Sequence, residues 1–93
     1  MIKNMKNKFK PDYAIHPGEI LAETLIARNI SKGNFSKRCG IASKTLNLIL
    51  NRKAPVTPET AIQFEKVLGV SAEIWNNLDY NYKLFILKKS LFD

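Results

Sequence analysis

From Ile20 to the C-terminus, apolar residues recur three and four positions apart, and short punctuating clusters cut the pattern into helical segments. The first opens at His16-Pro17-Gly18-Glu19. Proline at the first helical position gives up no N–H that the helix needs, and Glu19 in the first turn meets the positive end of the helix dipole. Ile20, Leu21 and Leu25 line one face of this segment, which closes near Asn29. Ser31 then caps a second helix running to Cys39, with Phe35 and Cys39 inward, and Gly40-Ile41 turns the chain. In the third, from about Ala42 to Asn51, Leu46, Ile49 and Leu50 fall on one side, with Ile41 just before them. At about 100° per residue the opposite side shows Lys44, Asn47, Leu48 and Asn51, with Ser43 and Thr45 near its start. Thr57-Pro58-Glu59 opens a fourth helix that turns Ala61, Phe64 and Leu68 inward and ends at Gly69. Ser71 caps a fifth, containing Ile74 and Trp75.

The fifth helix carries two apolar stripes. Trp75, Leu78, Tyr82 and Phe85 form one, and Tyr80, Leu84, Leu87 and Leu91 the other. A helix at the edge of a small domain needs one stripe for its own core. The second is available to a partner, and a homodimer with Tyr80, Leu84, Leu87 and Leu91 at its interface is expected, Phe92 joining the seam. The pattern as a whole predicts an all-α fold. Residues 15–93 form one domain ending in a dimerisation helix, and residues 1–14 form a flexible basic arm with Lys3, Lys6, Lys8 and Lys10. That arm either reaches a phosphate backbone or minor groove or is a solvated tail.

Composition narrows the chemistry. At 93 residues a single core buries somewhat over ~60% of the unfolded surface, so a dimer would add to a thin margin. The lone cysteine, Cys39, forms no internal disulfide and suits a small buried hydrophobe in a reducing compartment. Without a run near the ~20 apolar residues of a membrane span, and without a signal-peptide core, the protein is expected in the cytoplasm. His16 is the only histidine, and no carboxylate pair or glycine-rich loop accompanies it. Neither a metal site nor a nucleophile with its base can be assembled, so no cofactor and no enzymatic activity are expected. His16 instead helps close the first helix start.

Charge points to a partner. The net charge is +7 and the isoelectric point about 9.7. Between Glu23 and Glu59 there is no acidic residue, while Arg28, Lys32, Lys37, Arg38, Lys44, Arg52 and Lys53 all fall there. That stretch is also the helix, turn, helix unit. Two short helices with glycine at the turn, presenting positive charge alone, suit a DNA major groove.

Residues 16 to 86 resemble the HigA-type antitoxins of the wider Xre/Cro, or lambda-repressor-like, family of helix-turn-helix regulators. The marks are His16-Pro17-Gly18-Glu19-Ile20-Leu21, Gly40-Ile41-Ala42-Ser43-Lys44-Thr45-Leu46, Asn51-Arg52-Lys53, Thr57-Pro58-Glu59-Thr60-Ala61, and Leu68-Gly69-Val70-Ser71-Ala72-Glu73-Ile74-Trp75 leading to Tyr82. The resemblance implies a five-helix DNA-binding domain, dimeric, encoded beside a small HigB-like RNase toxin. Such a protein neutralises the toxin and represses their shared operon by binding double-stranded operator DNA. By the same resemblance Ser43, Lys44 and Leu48 match base-facing positions, with Thr45 and Asn47 beside them, and Lys32, Asn51, Arg52 and Lys53 match phosphate-facing ones. A phage- or plasmid-type repressor without a toxin is the alternative.

Three residues depart from the family pattern. Ala42 stands where a Ser or Thr cap is usual, which removes about 1 kcal/mol unless Ser43 takes over. Arg52 replaces a common glycine, so positive φ is less accessible there. Leu48 cannot hydrogen-bond a base, though it can pack on a thymine methyl.

Overall fold

The computed structural model describes residues 14–92. All but the last residue of the expected basic arm therefore lies outside the described residues. Among the described residues five helices are observed: α1 Pro17–Ala27, α2 Lys32–Cys39, α3 Ser43–Leu50, α4 Pro58–Leu68 and α5 Ala72–Phe92. No strand occurs among the described residues, and none of these helices is long and apolar enough to cross a membrane.

Four of the five helix starts have a side-chain cap. His16 Nδ1 accepts the Gly18 N–H at 2.8 Å, Ser31 Oγ that of Asn34 at 3.1 Å, Thr57 Oγ1 that of Thr60 at 3.2 Å, and Ser71 Oγ that of Glu73 at 3.0 Å. These acceptors satisfy N–H groups that have no partner within the helix. Three ends share one geometry. Ile30 donates to the Leu25 carbonyl at 2.9 Å, Ile41 to that of Ser36 at 3.1 Å, and Lys53 to that of Leu48 at 2.8 Å. Each closure places the residue before the donor in the left-handed region: Asn29 (φ 59°), Gly40 (φ 73°) and Arg52 (φ 62°). The first helix accordingly stops at Ala27, and Asn29 is the turn residue that follows it.

The core forms where all five helices meet. Phe35, Phe64 and Trp75 are fully buried, with ring centroids 5.5 Å (Phe35–Phe64) and 5.2 Å (Phe64–Trp75) apart. Leu21, Leu25, Leu46, Ile49, Ala61 and Leu68 close around them, together with Val56 from the α3–α4 segment. Cys39 is buried in this cluster, and its burial pushes the thiol up to about 11 against the pull of Arg38. It is therefore a packed neutral thiol.

Helix α5 spans about 31 Å at 1.5 Å per residue. Its first half seats Trp75, with Leu78, Tyr82 and Phe85 half-buried. Tyr80, Leu87 and Leu91 of the second stripe are 63%, 56% and 68% exposed, while Leu84 is half-buried. From Ile86 to Phe92 every residue is exposed, so the last turns of α5 extend past the packed body.

Candidate nucleic-acid interface

The presentation of α3 begins at the turn before it. Ser36 is buried, its hydroxyl donates to the Ile41 carbonyl, and its own carbonyl accepts the Gly40 N–H at 3.0 Å. One small polar residue thus ties the end of α2 to the approach of α3. Ile41, Leu46 and Ile49 then anchor the inner face of α3 in the core. The far end is fixed by a close backbone approach. A Cβ at Gly18 would lie 2.0 Å from the Ile49 carbonyl oxygen, so only glycine lets the first turn of α1 rest against the end of α3.

With that frame set, Ser43, Lys44, Thr45, Asn47 and Leu48 are all exposed along one helix, Leu48 at 38%. The cap outcome is also decided. Ala42 provides no side-chain cap, and Ser43 is the first helical residue, its Oγ lying 3.5 Å from Ser36 Oγ. Ser43 therefore leans back toward the turn and does not replace the missing cap.

The flanking residues fall into two groups. Lys32, at the start of α2, and Asn51, the C-cap of α3, border one groove with Ala22, Ile26, Ile30 and Leu50. Arg52 and Lys53 border a second with His16, Ala54, Asp79 and Tyr82. All four flanking residues are exposed.

Two details correct the expectation of a surface bearing positive charge alone. The stretch lacks acids in sequence but not in space: Glu19, from α1, pairs with Arg52 at 3.1 Å between Oε2 and Nη1. Arg28 serves another end of the fold, donating from Nη1 to the Leu68 carbonyl at 2.7 Å and so capping α4.

Sequence reasoning also missed what supports the segment leading out of α3. Asp79 is buried, and its Oδ1 accepts the Val56 N–H at 3.0 Å while Oδ2 pairs with Lys83 at 2.9 Å. Asn76 Nδ2 donates to the Val56 carbonyl at 3.1 Å. A carboxylate four residues after Trp75, on the core side of α5, was the available signal. His16 is only 4% exposed, and its ring meets Tyr82 edge-on at 4.8 Å. Burial lowers its pKa, which Asp79, Glu19 and a backbone hydrogen bond at Ala54 pull upward and Arg52 pushes down.

The helix-turn-helix family profile matches residues 21–75, the span from the core face of α1 to Trp75. The chain belongs to the helix-turn-helix family. A curated relative, the uncharacterised HTH-type transcriptional regulator YddM of Escherichia coli, is 36% identical over 75 residues, covering 81% of this chain and 80% of that protein. Two solved structures extend the comparison. An addiction module antidote protein of a HigA family from Coxiella burnetii is 38% identical with a TM-score of 0.77, covering 84% of this chain and 87% of that one. The Pseudomonas aeruginosa antitoxin HigA, solved with the higBA promoter, is 30% identical with a TM-score of 0.78, covering 82% and 84%. This helix-turn-helix protein is accordingly of the HigA, Xre/Cro-like type, a regulator and not an enzyme.

Proposed function

We propose that the chain is the antitoxin of a two-protein toxin–antitoxin module, which binds operator DNA as a homodimer, represses its own operon, and neutralises a small HigB-like RNase toxin. The observation that carries the reading is the outer face of α3. Lys44, Thr45, Asn47 and Leu48 project from a helix whose start, inner face and end are all fixed, with Ser43 at its mouth. That is the arrangement in which a short helix enters a major groove and presents side chains to base edges. Lys32, Asn51, Arg52 and Lys53 sit to either side, where a phosphate backbone would pass. The HigA of Pseudomonas aeruginosa, similar in fold over most of the chain, is seen with its promoter. That likeness supports the same role for this protein.

The test has a DNA arm and a toxin arm. On DNA from upstream of its own gene, Lys44→Glu should weaken binding by roughly tenfold or more, because it inverts charge at the groove-facing end, while thermal unfolding stays unchanged. For a dimer making six to ten phosphate contacts, affinity should fall by about 10³ to 10⁵ between 50 and 200 mM salt. Survival of binding in the variant would show that another face meets the DNA. In the toxin arm, a small RNase encoded beside this gene is expected to copurify with the protein and to lose its activity in the complex. Failure to retain it would leave a plain repressor.

A further inference from the structure

Glu19 and Arg52 meet at the junction between the first turn of α1 and the closing turn of α3. Both side chains are substantially exposed, 42% and 55% respectively, so each retains open surface for a second partner. The backbones on the two sides are both fixed at the Ile49 carbonyl. On one, Gly18 lies against the Ile49 carbonyl, which sets how far Glu19 stands from α3. On the other, Arg52 donates from its N–H to the Ile49 carbonyl at 3.0 Å while Lys53 donates to that of Leu48, which pins the turn.

Arg52 is also an outlier. A side chain at φ 62° carries a steric penalty that glycine avoids, and such strain persists where something else depends on the residue. An ion pair this exposed contributes little to fold stability, so stability does not account for it. Geometry does. One Nη–H is committed to the Glu19 carboxylate, and a guanidinium has five N–H donors in a planar fork, which leaves further donors to meet a phosphate. Asn51 and Lys53 flank it on the same exposed turn.

We infer that Glu19 is a positioning residue for DNA binding: its carboxylate holds the Arg52 guanidinium in place across the α1–α3 junction, so that the remaining edge contacts the phosphate backbone. The inference rests on the DNA-binding reading above. It makes a prediction of opposite sign to simple charge. Removing a carboxylate beside DNA should by Coulomb repulsion alone tighten binding, whereas loss of a positioning residue should weaken it.

The experiment compares the full-length protein with Glu19→Gln, Arg52→Ala and the double variant on the upstream DNA fragment, measuring affinity across a salt series. Glu19→Gln should weaken binding by roughly three- to fivefold, on the scale of one oriented surface contact. It should also make the slope of log K against log salt shallower by about 0.9 for each protomer. Arg52→Ala should lose at least as much, and the double variant no more than Arg52→Ala. Arg52→Lys, which keeps the charge but not the fork, should not restore binding. Equal or tighter binding by Glu19→Gln, or losses that add in the double variant, would overturn the inference. So would a lowered melting temperature of Glu19→Gln accompanied by an affinity loss that persists with Arg52→Ala, since the defect would then be in the helix start. If the unmodified protein shows no salt-dependent binding, the DNA-binding reading fails and the inference falls with it.

Discussion

His16 is held neutral by the work its ring does. Nδ1 accepts the Gly18 N–H, which a protonated imidazole cannot do, so the ring proton resides on Nε2. Burial is the largest influence on this residue and lowers its pKa from 6.5, outweighing the upward pull of Asp79, Glu19 and the Ala54 backbone. The unfolded chain therefore takes up a proton here at a higher pH than the folded one. Stability from this site is complete above about 6.5 and declines as the pH falls through the window between the unfolded and the lower folded value. Urea midpoints measured from about pH 7 to about pH 5 should fall accordingly. His16→Asn keeps an N-capping acceptor but has nothing to titrate, and should flatten that part of the profile. An identical slope in the variant would assign the acid sensitivity to other groups.

Among the elements, the short connection from α3 to α4 depends most on a distant partner. Asp79 and Asn76, both on α5, take the N–H and the carbonyl of Val56, whose side chain sits in the core. Asp79→Ala leaves a buried N–H without its acceptor, a loss of about 1–3 kcal/mol, whereas Asp79→Asn retains an oxygen and should lose less. Chemical denaturation distinguishes the two, and equal losses would mean that the Lys83 pair, not the Val56 bond, is what matters. This connection also marks the limit of what sequence could tell. Helix positions and inward faces were legible because Ser31, Thr57 and Ser71 cap, Gly40 and Gly69 stop, and Phe35, Leu46, Phe64 and Trp75 recur at helical spacing. The outer face of α3 followed once its inner face was set. The Glu19–Arg52 pair, the Arg28 cap on α4 and the Asp79–Val56 bond were not legible, because each joins residues brought together only by packing. Asn29 as a left-handed turn residue was likewise invisible, since it lacks glycine's signature, whereas at position 52 the glycine usual in the family marked the turn, and Arg52 adopts the positive φ despite its side chain.

For the molecule as a whole, the exposed far end of α5 bears on assembly. Tyr80, Leu84, Leu87 and Leu91 are proposed as the seam of a two-fold dimer, and each large apolar side chain removed from water contributes about 1.5–3 kcal/mol before ordering losses. A dimer would set two copies of α3 roughly 34 Å apart, on successive major grooves. Leu84→Glu with Leu87→Glu should give a folded monomer by light scattering, with undiminished helical signal and weaker DNA binding. A variant that stays dimeric would place the seam elsewhere, and one that unfolds would show this stripe to be core. The missing Cβ at Gly18 reaches further, into how such a protein can diverge. Any side chain there would drive the end of α3 away from α1, so drift at position 18, as at Leu46 and Ile49, moves the whole reading helix. Positions 44, 45, 47 and 48 carry no such constraint. Descendants of this chain are thus free to acquire new operator preferences while the scaffold that aims them stays unaltered.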